Sequence, residues 1–277
     1  MNIGCHVSIS GSIANAPLNA HRAGAECFQM FTRSPQGGPV PVLDDQKVKD
    51  FKANCQKNKI NNYYVHAPYF INLASANNRI RFGSVNIIRQ ELERCSLLGV
   101  TALMTHLGSA KDFGPAEAQK KVIAGIKKIL TGYKGTTQFL IENSAGGGGT
   151  IIGDSFDEVG KIIHALPDYN IGVCFDTCHA FVSGYDLRTK ATVEKTLKEF
   201  DQKVGLDKLC LIHANDAKTE FGSHRDRHEN IGFGQIGEAG FRALLHQPKL
   251  KDVDFILETP PSEKKSVNDI KKLKELR

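Results

Sequence analysis

Six short apolar runs in this sequence end in a side chain that can bind a metal ion. Tyr63–His66 ends in His66, Ala102–His106 in His106 and Phe139–Glu142 in Glu142. Ile171–Asp176 ends in Asp176, Leu209–His213 in His213 and Asp254–Glu258 in Glu258. Three further candidates lie near them. His179 follows Asp176 by three residues, so one turn could present both. Asp226 and His228 stand two apart, which puts both side chains on one side of an extended loop. Singly, each has an ordinary explanation: a strand-end histidine is usually hydrogen-bonded within the fold, and a carboxylate there often caps the next helix. Collectively they do not. Glu142, Asp176 and Glu258 crowded into one apolar mouth would repel one another, at a high cost unless cations offset the charge. A mixed imidazole and carboxylate set suits zinc or manganese rather than calcium or an iron–sulfur cluster. Nine ligands exceed the needs of one ion and, with a bridging carboxylate, match three. Such ions activate water near neutral pH, and a pair can clamp the attacking and leaving oxygens of a phosphodiester.

That convergence needs a scaffold that brings strand ends together. With Asn2–His6 and Cys27–Phe31 the apolar runs number eight. They are too short for helices and nearly continuous in apolar character, as strands buried on both faces should be. Helical patterns lie between them. Ile80–Leu98 is periodic and stops at Gly99, and Pro115–Leu130 opens on a proline. Ser155 and Glu158 have capping-box spacing before Val159, Ile162 and Ile163. Thr192–Val204 and Glu238–Leu245 read likewise, and Ser266–Leu276 is the expected closing helix. Strand and helix alternate with repeats of about 25 to 45 residues, which calls for a parallel sheet with crossover helices. Eight units in about 250 residues predict a single α/β domain over 1–277, a (β/α)8 TIM barrel with its site at the C-terminal ends of the strands. An open doubly wound sheet would be expected to carry a glycine-rich dinucleotide fingerprint after its first strand; only Ser10-Gly11-Ser12 stands there.

Composition narrows the class. The chain has 277 residues, 40% hydrophobic and 24% charged, enough for a sizeable core without disulfide staples. No apolar run is long enough for a membrane span, and the first residues lack a secretory pattern. The seven cysteines are odd in number, and Cys174 and Cys178, the only close pair, have no second pair to complete a zinc ribbon. Reduced thiols in an intracellular, cytoplasmic protein are expected. A net charge of +6 permits a polyanionic partner without requiring one.

Seven segments together resemble the endonuclease IV family of apurinic/apyrimidinic (AP) endonucleases, within the xylose isomerase-like TIM barrels. They are His66-Ala67-Pro68-Tyr69-Phe70-Ile71-Asn72-Leu73, Thr105-His106-Leu107-Gly108-Ser109 and Ile141-Glu142-Asn143-Ser144-Ala145-Gly146. The others are Phe175-Asp176-Thr177-Cys178-His179-Ala180, His213-Ala214-Asn215-Asp216, Asp226-Arg227-His228 and Leu257-Glu258-Thr259. The resemblance implies three zinc ions per chain, with manganese possible at one position. His66, His106 and Glu142 would hold the first. Glu142 would bridge to a second, completed by Asp176, His213 and Glu258, and His179, Asp226 and His228 would hold the third. It implies cleavage of duplex DNA 5′ to an abasic site, leaving a 3′-hydroxyl and a 5′-deoxyribose phosphate. Trimming of blocked 3′ ends (3′-phosphate, 3′-phosphoglycolate) would accompany it. Glu142 and Glu258 are the expected catalytic carboxylates, Glu258 orienting the attacking water. A monomer is implied, at the nucleoid if the source is bacterial.

For DNA contact, Tyr69 and Phe70 just beyond His66 are the expected gap-filling side chains, with loop packing as the plainer alternative. One stretch departs from the family. Where members usually carry an arginine and often a tryptophan that enter the DNA, this chain reads Thr32-Arg33-Ser34-Pro35-Gln36-Gly37-Gly38-Pro39. Gln36 takes the arginine position and Gly38 the aromatic one, leaving Arg33 and Gln36 as candidate contacts. The Gly146–Gly149 run could let backbone approach a phosphate, but a flexible loop is the more ordinary reading. His6 is expected to support ligands rather than bind metal. Two rivals stand beside the endonuclease: a metal-dependent sugar isomerase on the same barrel, and a lesion-marking DNA-binding protein. Asp226-x-His228 with His179, and the basic charge, count against the isomerase; Glu142 and Glu258 count against a pure binder.

Overall fold

The structure is a computed structural model describing residues 1–147, 150–260 and 268–277. The eight apolar runs become the strands of a closed parallel barrel: β1 (Ile3–His6), β2 (Cys27–Met30), β3 (Tyr63–His66), β4 (Ala102–Thr105), β5 (Gln138–Glu142), β6 (Ile171–Asp176), β7 (Leu209–His213) and, closing on β1, β10 (Asp254–Leu257). Every residue of β2, β3, β4, β6 and β10 is buried, which is why their sequences show no alternation.

Two cores result. The larger lies between strands and helices. The smaller fills the barrel with Cys27, Tyr64, Ala102, Met104, Leu140, Cys174, Leu211 and Ile256. Gly4 adds nothing to this layer because a Cβ there would lie 1.8 Å from the Cys27 carbonyl oxygen. Side chains alternate along a strand. Two residues past this inner layer the same parity therefore reaches His6, Gln29, His66, His106, Glu142, Asp176, His213 and Glu258, one from each strand or, for His106 and Glu258, from the residue just after it.

The helices are α1 (Ala16–Arg22), α2 (Asp45–Lys57), α3 (Asn78–Leu98), α4 (Pro115–Leu130), α5 (Phe156–His164), α6 (Thr177–Val182), α7 (Lys190–Lys203), α8 (Gly237–Leu245) and α9 (Asp269–Leu276). Helix α3 starts two residues before its apolar pattern because Asn77 caps it, and it ends at Gly99 in the left-handed region, φ +79°. The capping box at α5 is half formed. Ser155 accepts the Glu158 N–H, but the Glu158 carboxylate accepts from Gly153 N instead. The pattern hides three helices. Helix α1 is short, α2 buries only Phe51 and Cys55 on a polar helix, and α6 is buried all round. The start of the expected closing helix, residues 266 and 267, lies outside the described residues, as do Gly148 and Gly149 of the glycine run. After β7 the chain inserts a hairpin of two-residue strands, β8 (Asp216–Ala217) against β9 (His228–Glu229).

Candidate metal centre

The inward residues at the C-terminal ends of the strands are polar, unlike the layer beneath. Glu142, fully buried, sits among imidazoles. Its Oε1 is 2.9 Å from His213 Nδ1, and its Oε2 is 2.9 Å from His66 Nε2 and 3.5 Å from His106 Nε2. Glu258 Oε2 reaches His213 Nδ1 at 3.3 Å, and Asp176 Oδ2 lies 3.8 Å from the same nitrogen. Helix α6 places His179: Asp176 caps it by accepting the His179 N–H at 2.8 Å, so a helix start, not a loose turn, sets their spacing. The hairpin brings in the other two. Asp226 bridges His179 Nε2 and His228 Nε2, each at 3.2 Å. Buried Asp216 anchors the return of that hairpin by accepting the N–H groups of Gly232, Gly234 and Ile236.

All nine expected ligands thus meet. Donor atoms within 4.8 Å of one another group as His66, His106, Glu142, as Glu142, Asp176, His213, Glu258, and as His179, Asp226, His228. Cys178 also lies within reach of Asp176 and His228. Its thiol contacts the Arg227 carbonyl, and burial pushes its pKa well up.

Electrostatics explain how such a mouth holds together. Burial opposes charge on every group. Even so, Asp176 and Asp226 carry His179 up to about 10 and His228 up to about 9. Glu142 carries His66 upward despite burial. Against the same burial, His213 draws Glu258 down to about 2, and His106 with His213 holds Glu142 well below the usual carboxylate range. Burial lowers His106, and takes His6 down to about 4 although Glu258 opposes it. Protons on imidazoles and cations between carboxylates are alternative ways to neutralise this set. Three of the imidazoles also give their outer nitrogen to a backbone carbonyl. His66 Nδ1 lies 2.6 Å from Ala67 O, His179 Nδ1 3.0 Å from Asn143 O and His228 Nδ1 3.3 Å from Glu258 O. Ligand histidines are commonly oriented this way, and the donor set fits zinc.

Several supporting residues escape sequence reasoning. Asn143 Oδ1 accepts Asp176 N at 2.7 Å. Asn215 donates to Asp176 Oδ2 at 2.6 Å and accepts Glu258 N at 2.8 Å, so one amide joins two ligands. Gln29 touches His213, Glu258 and His6. Its signal is visible: it is the polar interruption in Cys27-Phe28-Gln29-Met30-Phe31, at inward parity.

The expected DNA contacts divide. Tyr69 and Phe70 stand at the rim, 65% and 41% exposed, with the Tyr69 ring 5.3 Å from Phe31 and 5.7 Å from His66. Gln36 is exposed on the loop after β2, which joins the next loop where Tyr69 N donates to Pro35 O at 3.2 Å. Arg33 requires a correction. It is 6% exposed, its Nε is 2.6 Å from the fully buried Glu91 carboxylate, and it also donates to Gln90. A guanidinium so engaged ties the loop to α3. The mouth opens into a cavity of about 870 Å³ lined by His66, Tyr69, His106, His179, His228 and Glu258 among others.

Comparison with known proteins bears on this arrangement. The family model described as xylose isomerase-like TIM barrel matches residues 18–276. A protein called probable endonuclease 4 from Nitrosopumilus maritimus is 41% identical over 279 residues, 99% of each chain. The chain belongs to the endonuclease IV family. Another relative bearing that name, from Methanoculleus marisnigri, is 40% identical over 277 residues, 99% of this chain and 98% of its own. The crystal structure of endonuclease IV from Thermus thermophilus superposes with a TM-score of 0.87 at 32% identity, covering 100% of this chain and 98% of that one. The fold expectation, a (β/α)8 barrel of this family, thus stands on both the coordinates and the endonuclease IV relatives.

Proposed function

We propose that this chain is a zinc-dependent DNA repair endonuclease acting in base excision repair. It cuts duplex DNA 5′ to abasic sites, leaves a 3′-hydroxyl and a 5′-deoxyribose phosphate, and trims blocked 3′ ends. The observation that carries the reading is the third donor group, His179 from α6 with Asp226 and His228 from the hairpin outside the barrel, added to the two groups that share Glu142. A sugar isomerase has no need of it. His66, His106 and Glu142 would hold one ion, Glu142 with Asp176, His213 and Glu258 a second, and the hairpin group a third; manganese suits one position as well as zinc does. Bound divalent ions neutralise phosphoryl charge and activate water near neutral pH.

The remaining work falls to the protein. Glu258 has one carboxylate oxygen held by Gln29 at 2.5 Å, which turns Oε2, 3.3 Å from His213 Nδ1, toward the mouth, where it would both bind an ion and orient the attacking water. Glu142, shared by two donor groups, sets their separation. Loss of a base weakens stacking, so turning the sugar-phosphate into the mouth costs less at a lesion than at intact sequence. Exposed Tyr69 and Phe70 can then fill the vacated stack. No helix among the described residues is long and apolar enough to cross a membrane. We place the protein with the DNA in the cytoplasm, acting as a monomer.

The test is a labelled duplex with one tetrahydrofuran abasic analogue, resolved on a denaturing gel. A nick 5′ to the analogue is expected. A mobility shift without a nick would select the lesion-marking binder, and inertness with ketose–aldose interconversion would select the isomerase.

A further inference from the structure

We propose that Gln29 is a positioning residue of the metal centre, whose single amide decides which nitrogen His213 presents to the ions and which oxygen Glu258 keeps free for them. The proposal rests on the metal-binding reading above. Its starting point is an inequality among the histidines. His66, His179 and His228 spend their outer nitrogen on backbone carbonyls, which no substitution removes. His213 spends its outer nitrogen on a side chain: its Nε2 is 2.7 Å from Gln29 Oε1. It also faces the carboxylates through Nδ1, whereas His66 and His228 use Nε2.

The direction of the Gln29 amide is forced by its neighbours. Glu258 Oε1 lies 2.5 Å from Gln29 Nε2, and an ionised carboxylate only accepts. Turning the amide over would set oxygen against oxygen. With the amide nitrogen on Glu258, the amide oxygen must face His213, so His213 Nε2 carries the hydrogen and the lone pair lies on Nδ1. The second amide hydrogen faces His6 Nδ1 at 3.0 Å, which makes that nitrogen an acceptor and leaves His6 its hydrogen on Nε2. One amide therefore sets two imidazole tautomers and one carboxylate. Gln29 and His213 are both fully buried, so solvent does not replace the contact. Outer partners of metal-bound histidines typically govern metal affinity by about 10–100-fold.

The experiment uses the full zinc-loaded chain. Long-range proton–nitrogen NMR of the imidazoles should show His213 with its hydrogen on Nε2; a hydrogen on Nδ1 would overturn the proposal. In parallel, zinc release to a colorimetric chelator is timed for Gln29→Leu and Gln29→Glu. The leucine variant should release one of three ions about 10–100-fold faster than wild type. The glutamate variant can still accept from His213 but sets a second carboxylate oxygen against Glu258. It should keep the His213 pattern and release zinc faster than wild type. A purely structural role would lower thermal stability while zinc release stays at the wild-type rate, and that result would overturn the proposal. If Gln29→Leu does not fold, the wild-type spectrum decides alone. Wild-type protein that takes up no zinc would sink the metal reading itself, whereas three ions held equally well by both variants would sink only the role of Gln29.

Discussion

The two ends of this barrel both bury carboxylates, and they solve the problem differently. At the N-terminal end Asp254 is 2% exposed. Its Oδ1 accepts from Asn2 N and Asn2 Nδ2, and its Oδ2 from Asn62 Nδ2 and the Tyr64 hydroxyl, at 2.7–2.9 Å. Four neutral donors satisfy it, and no cation is called for. At the C-terminal end Glu142 meets His66 and His213, titratable groups whose protons a cation can displace. Burial of an acid is therefore no metal signal by itself. The nature of the donors that face it separates a structural carboxylate from a ligand.

The same substitution at each end tests that distinction most severely. Glu142→Gln should lower turnover by about 10²–10³ or more and reduce bound zinc. Asp254→Asn should leave zinc content and turnover close to wild type while costing about 1–3 kcal/mol in chemical denaturation. Zinc loss in Asp254→Asn, or full activity in Glu142→Gln, would erase the difference between the ends.

Proton release sharpens the comparison. His179 and His228 are raised to about 10 and about 9 without metal, and His213 well above the ordinary imidazole value, so zinc uptake near pH 7 should expel their protons. Calorimetry in buffers of differing ionisation enthalpy should find two or more protons released per chain. The sign of the metal-free stability follows. Raised imidazoles stabilise fully below about pH 6.5. That contribution is lost as pH rises through the values of about 9 and 10 at His228 and His179. Glu258, lowered to about 2, contributes above the ordinary glutamate value, and the contribution is lost as pH falls toward 2. Buried His6, lowered to about 4, and His106, also lowered, withdraw stability as pH falls below about 6.5, so metal-free protein should melt highest near pH 6.5. Zinc-loaded protein should gain as pH rises from about 6 to 8. A metal-free melting temperature that climbs toward pH 9 would contradict this pairing.

The rim should respond more mildly than the floor. Tyr69→Ala should raise KM for abasic duplex about fivefold to tenfold with kcat little changed, the lower end of what base stacking contributes. Gln36→Arg should tighten duplex binding and steepen its salt dependence by about one phosphate contact, whereas Arg33→Ala should lower melting temperature and leave the salt slope alone.

Floor and rim also differ in how far they could be read from the sequence. Strand ends are short apolar runs with a fixed inward parity, so His66, Glu142, Asp176 and His213 announce both the element and its direction. Proximity across the barrel is then a consequence of closure. Gln29 obeys the same geometry, and Asn143 and Asn215 stand just beyond β5 and β7, but an amide carries no distinctive residue chemistry until its partners are known. Arg33 shows the limit at the rim. Its type suggested DNA, yet Glu91, 58 residues away on α3 and without any sequence mark of being buried, claims it. The short helix α6 likewise carries no amphipathic pattern because all six of its residues are buried.

Zinc in the barrel mouth is the central assignment, and one measurement addresses it directly. Metal-replete protein should be analysed for elemental content, and its crystals for anomalous scattering at the zinc edge. About three zinc ions per chain are expected, with peaks among the side chains that flank Glu142 and beside Asp226. A metal-replete protein with an empty mouth, its carboxylates neutralised by protonated histidines alone, would contradict the assignment.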